Sequence, residues 1–189
     1  MTMDIQHQAD ASGGLAWISE QLFGLQGRLA AEGEALDAQT RALLARSSRR
    51  CGQHAQWWRD LLPDSPALDG TGRVRPPTEA WAGAVGYIEE APLADAVAAL
   101  YEVALAQLLV VLRDLQNELS PIGDGAFIRT ARIVLADLEE EEADAKRVWP
   151  LPTIPSTSDT EKLWRAFSRD DLEKRWPPLV TRRPQNGYH

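Results

Sequence analysis

A single cysteine, Cys51, stands among the 189 residues, so the chain can close no disulfide on itself and suits a reducing cytoplasm. Histidine is nearly as scarce, with three copies at positions 7, 54 and 189, and the first and last of these fall in terminal segments. No apolar run is long enough to cross a bilayer: the longest, Val103 to Leu112, is interrupted by Gln107. Met1 to Gly14 lacks the basic start and apolar stretch of a secretion signal. Strand-like alternation bounded by hairpin signals is missing throughout, which argues against a sheet. Gly70-Thr71-Gly72 has neither the strand before it nor the helix after it that a phosphate-binding loop needs. Basic residues are outnumbered, 20 against 28 acidic, for a net charge of −8. A field of that sign repels phosphate backbones and anionic lipid, so neither nucleic acid nor a membrane is expected as a partner. Arg46, Arg49 and Arg50 are the nearest approach to a basic patch.

What is present is helical period. Leu15, Ile18, Leu22, Leu25 and Leu29 recur every three or four residues and predict a first helix from Gly14 to Glu32. Asp37 can cap a second, which Pro63 closes; its inward stripe is Leu43, Leu44, Ser47, Cys51, His54, Trp58 and Leu61. A third, from Pro92 to Leu119, is the most apolar and directs Leu93, Val97, Leu100, Ala104, Leu108, Val111 and Leu115 inward. After the Gly123-Asp124-Gly125 break a fourth runs from Ala126 to Trp149 on Phe127, Ala131, Val134, Leu135, Leu138 and Ala145.

The connections set the expected topology. Short links join helices one to two and three to four, which makes each pair an antiparallel hairpin. Between the pairs lies a long connection, Pro63 to Ala91, with a short helix expected over Thr78 to Glu90. Two hairpins joined by one long crossover is the arrangement of a ferritin-like four-helix bundle, so the fold class is all-α. The expected domains are a disordered N-terminus over 1–13, the bundle over 14–149, a Pro-rich linker with a short helical tail over 150–180, and a disordered end over 181–189. Ser158 with Glu161, and Ser168 with Asp171, would cap the tail helices. The tail's aromatic residues suggest packing on the bundle or on a partner.

Chemistry concentrates on the second helix. Cys51, His54 and Trp58 are spaced i, i+3, i+7 and share one face with Ser47. That face is the apolar one, so it turns His54 toward the core. An inward imidazole can start a metal site; it can equally be a core histidine satisfied by a hydroxyl, with Tyr101 or Ser47 in reach. On the fourth helix the acids Glu139, Glu140, Glu141, Glu142 and Asp144 are in excess, and Glu141 and Glu142 flank the inner side. Such a run is also what a solvated, ion-paired helix face looks like. Seven tryptophans, at 17, 57, 58, 81, 149, 164 and 176, are many for this length. Trp17, Phe23 and Trp57 point outward and mark a face for a further element, a ligand or a second copy of the chain.

The run Arg50-Cys51-Gly52-Gln53-His54-Ala55-Gln56-Trp57-Trp58-Arg59-Asp60-Leu61-Leu62-Pro63 resembles the second helix of small bacterial ferritin-like proteins, whose histidine-bearing, tryptophan-containing helix ends in Leu-Pro. The resemblance implies a dinuclear site built from a Glu on each of two helices and Glu-x-x-His on each of the other two. Residue by residue, His54 matches the histidine of the second helix, while Cys51 occupies the place of its Glu. Glu20 and Glu102 point away from the interior by helical phase, and no histidine follows the acids of the fourth helix.

The expectation is therefore a ferritin-like bundle that has lost the di-iron site, carries no cofactor, and binds a small molecule in its core or a partner. Ser47, Trp58 and Tyr101 would line the pocket, and a homodimer would form through the aromatic-bearing face. The alternative is a metal-dependent oxidoreductase of oxygenase or hydroxylase type, with a single iron, manganese or zinc ion on His54, Glu141, Glu142 and Cys51.

Overall fold

A computed structural model describes residues 5–32, 35–64, 71–119 and 124–148. Among the described residues every regular element is helical, so the chain is all-α. Five helices follow in order: α1 (Ile5–Glu32), α2 (Ala38–Arg59), α3 (Glu79–Glu90), α4 and α5 (Gly125–Val148). Helix α4 comprises Leu93–Ala99, a π turn Leu100–Leu105 and Ala106–Glu118, with helical backbone across both joins. The expected tail helices and both segments of 150–180 and 181–189 lie outside the described residues.

Local chemistry explains most of the boundaries. The Asp37 carboxylate accepts from the backbone amides of Gln39 at 2.8 Å and Thr40 at 2.9 Å, filling two donors that the first turn of α2 cannot use internally. Thr78 caps α3 in the same way by accepting from the amide of Trp81. Pro92, which has no amide to lose, stands immediately before α4.

The first helix departs from expectation. It begins at Ile5, nine residues before Gly14, so the segment 1–13 is not disordered as a whole. Ala9, Ala11, Ser12 and Gly13 are buried, because a short 3-10 turn of the crossover, Thr71–Arg73, lies on this stretch. A Cβ added to Gly13 would sit 2.3 Å from the Arg73 carbonyl oxygen, closer than any side chain can come. Glycine is thus required for contact, and its helix-weakening effect of about 1 kcal/mol is accepted for it. The Arg73 guanidinium bonds to Asp10 from the same turn.

Helices α1 and α2 run antiparallel along their length. Glu20 meets Arg59, the Phe23 ring covers Gly52, and the Ser48 hydroxyl donates to the Phe23 carbonyl, so positions fall on one helix as they rise on the other. Helix α2 is antiparallel to α5 as well: Arg46 pairs with Asp144, Arg50 with Glu140 and His54 with Asp137. Helix α4 packs beside α5 and bonds to it through Arg113 and Glu139.

The core runs between these helices on Leu15, Ile18, Leu22, Leu44, Leu100 and Phe127, all buried. At one end Trp58, wholly buried, tilts against Phe127 with ring centroids 5.2 Å apart. Contrary to the reading of the interrupted run Val103 to Leu112 as too short, helix α4 taken whole has the length and apolarity of a membrane span, because Gln107 does not end the helix; 78% of that window is buried inside the protein.

Candidate polar site in the helical core

Four helices bring polar side chains to the middle of this core. Gln26 of α1, Ser47 and Cys51 of α2, Tyr101 of the α4 π turn and Glu141 of α5 are all buried. Each has a local reason to be there. Gln26 lies four residues after Leu22 and three before Leu29, inside the leucine stripe. Ser47 and Cys51 are one turn apart on the inward face of α2. Tyr101 sits where the π turn inserts an extra residue per turn, which lets Leu100 and Tyr101 both face the interior. Glu141 follows Leu138 by three residues on the apolar side of α5.

The Gln26 side-chain amide donates to Glu141 Oε1 at 2.6 Å. Beyond that bond the partners run out. Glu141 Oε2, Gln26 Oε1 and Tyr101 Oη are each buried with no hydrogen-bond partner. Ser47 stands beside both Tyr101 and Glu141 and favours the ionised form of each, yet its hydroxyl completes no well-formed hydrogen bond to Oη or Oε2. An unmatched buried polar atom costs about 1–3 kcal/mol, so three in one cluster is a concentration that folding alone does not favour.

Burial sets the acid–base character of the cluster. It pushes Glu141 up to about 7, against the opposing pull of Ser47, Gln26, Arg50 and Arg46. It raises the Tyr101 hydroxyl far above its ordinary value, with the Glu141 charge adding to the effect. It also raises the Cys51 thiol well above its usual range, helped by Glu141 and Asp137. Cys51 is therefore a neutral thiol near pH 7 and a poor nucleophile.

His54 looks away from this cluster. Its Nε2 lies 2.9 Å from Asp137 Oδ2, and since an ionised carboxylate only accepts, Nε2 carries the proton. Burial lowers the pKa of the ring, and Asp137 only partly offsets that, so the ring is neutral near pH 7. The Asp137 side chain is 31% exposed, which places the pair at the outer edge of the seam between α2 and α5. Trp57 packs on the ring at 5.6 Å between centroids. Trp58 is wholly buried one turn further on, and its indole nitrogen has no acceptor among the described residues.

Glu142 points elsewhere. It is partly exposed and pairs with Lys146 at 2.9 Å. Glu139, Glu140 and Asp144 likewise pair with arginines on the surface. Glu20 bonds to Arg59 outside the core, and Glu102 is half-buried. Among the described residues no three of His, Cys, Asp and Glu stand close enough together to share a metal ion.

Two residues, Gln26 of α1 and Asp137 of α5, escape a reading based on charge alone. Gln26 is uncharged and hidden in a leucine stripe, although its phase places it inward. Asp137 precedes the conspicuous acid run, yet its i, i+4 spacing to Glu141 sets it on the same side of α5. No family model, curated protein or solved structure matches this chain.

Proposed function

We propose that this chain is a ferritin-like helical bundle that serves as a binding module, holding a small polar ligand where the family's dinuclear metal would sit. The order of the helices supports the bundle reading. Helix α1 descends against α2, which rises; a crossover carrying α3 then returns the chain to the level where α2 began, and α4 runs parallel to α2 and antiparallel to α5. The dinuclear site of such bundles draws on the inner faces of all four long helices, and Gln26, Cys51, Tyr101 and Glu141 occupy those faces here.

One observation carries the ligand reading. Glu141 is 1% exposed, and its second oxygen, like Gln26 Oε1 and Tyr101 Oη beside it, lacks a partner. Buried polar networks stabilise when complete and cost stability when left open, so an open one implies an occupant that closes it.

A thermal-stability screen of small polar molecules and of iron, manganese and zinc tests the proposal on the full chain, with elemental analysis of the purified protein. The expected result is a rise in melting temperature with an organic or inorganic polar ligand that Glu141→Gln abolishes and His54→Ala retains. Stoichiometric iron, manganese or zinc that disappears in His54→Ala would overturn it in favour of a metal-dependent oxidoreductase.

A further inference from the structure

Resting on that reading of the core site, the pattern of missing partners indicates what kind of ligand would complete it. Gln26 spends an N–H on Glu141, which leaves its carbonyl Oε1 as an unmatched acceptor. Glu141 Oε2, when ionised, is a second acceptor, and Tyr101 Oη can accept as well as donate. With Glu141 ionised the cluster carries one formal negative charge and presents three oxygens that can accept, against the Ser47 and Tyr101 hydroxyls as donors. No cation of the protein enters to balance it. Arg46 and Arg50, whose charges are felt at Glu141, are held outside by Asp144 and Glu140. On the remaining sides Glu141 faces the neutral Cys51 thiol and the neutral Tyr101 hydroxyl.

We propose that Gln26, Glu141 and Tyr101 bind a small N–H-donating monovalent cation, the ammonium ion or the head of a short primary amine. One charge matches one carboxylate, and N–H groups directed at Gln26 Oε1, Glu141 Oε2 and Tyr101 Oη fill the three open positions. A neutral water could reach the same atoms but would leave the carboxylate without a counter-charge in an apolar surrounding. A divalent metal would lack the second carboxylate that hard cations take.

The test compares cations of one charge and different chemistry on the full chain. Melting temperature is measured in ammonium, methylammonium, potassium and tetramethylammonium chloride at equal ionic strength. Potassium has the charge and a similar size without N–H groups, and tetramethylammonium has the charge and nitrogen without N–H groups. Ammonium or methylammonium at ten times its Kd should raise the melting temperature by about 3–5 °C over the other two. Glu141→Gln should remove the gain, and Tyr101→Phe, which deletes a single oxygen, should weaken binding several-fold while keeping the fold. A nitrogen-15 ammonium resonance protected from exchange in the wild type and absent from Glu141→Gln would corroborate it. An equal response to potassium, or none to any cation, overturns the proposal. In that case a different small molecule that stabilises the wild type but not Glu141→Gln leaves the binding-module reading standing; if nothing does so, both readings fall.

Discussion

The two sides of the seam between α2 and α5 are built on opposite rules. On the outside two ion pairs and one hydrogen bond stand in register: Arg46 with Asp144, Arg50 with Glu140, and the neutral His54 ring with Asp137. One turn inward, Glu141 has a single donor and an empty second oxygen, beside an empty tyrosine hydroxyl. Farther along the core, the Trp58 and Phe127 rings lie against each other. The difference separates three kinds of contribution. The aromatic end holds the fold, the outer ladder keeps the seam in register, and the middle cluster costs stability that the proposed occupant would return.

The largest effect expected is at the aromatic end. Trp58→Ala would remove a wholly buried indole and leave a cavity against Phe127, at about 3–5 kcal/mol in chemical denaturation. A loss under about 1 kcal/mol would mean that this end does not carry the fold.

The second effect belongs to the middle cluster and shows in pH. Glu141 titrates near 7 in the folded chain against an ordinary 4.5. Between those values the folded protein keeps a proton that the unfolded chain has released. The stability from this group is therefore fully present below pH 4.5 and is lost as pH rises to 7, about 3 kcal/mol across the window. His54 acts in the opposite sense, since its pKa is lowered on folding and stability from it is lost as pH falls below 6.5. Subtracting the profile of Glu141→Gln, which cannot titrate, isolates the carboxyl. A difference curve that stays flat from pH 4.5 to 7 would contradict the picture of a buried, half-satisfied acid.

The smallest effect is expected on the ladder. Arg50 and Glu140 are 27% and 56% exposed, and water screens such a pair. Arg50→Ala should change stability by about 0.2–1 kcal/mol, less as salt is added. A loss comparable to that of Trp58→Ala would erase the distinction between ladder and core.

Much of the fold could be read from the chain because its signals are local. Asp37, Thr78, Pro63 and Pro92 act on the backbone beside them, and the leucine stripes need no partner to reveal their period. The inward set Ser47, Cys51, His54, Trp58 and Tyr101 follows from helical phase in the same way, and all five are buried. What escaped depends on contacts distant in sequence. Gly13-Gly14 reads as a helix edge until the Arg73 carbonyl is placed above it. Nothing in Leu100 to Leu105 announces a π turn. Phase alone leaves Glu141 and Glu142 equivalent, and only the position of α1 decides that one meets Gln26 while the other meets Lys146. His54 reads as a residue of the core centre, whereas its partner Asp137 draws the ring to the seam.

The contact at Gly13 also bears on where this protein can be trimmed. Gly14 is the border that sequence pattern suggests for a minimal domain. A cut there would discard Ala9, Ala11 and Ser12 from the interior, together with Asp10, which holds Arg73 across 63 residues of chain. The crossover would lose the surface on which it lands, and with it the tether that brings α3 and α4 to their places. A self-sufficient fragment therefore has to keep Ala9 to Gly13, and the amino-terminal turns belong to the machinery of the crossover as much as to the first helix.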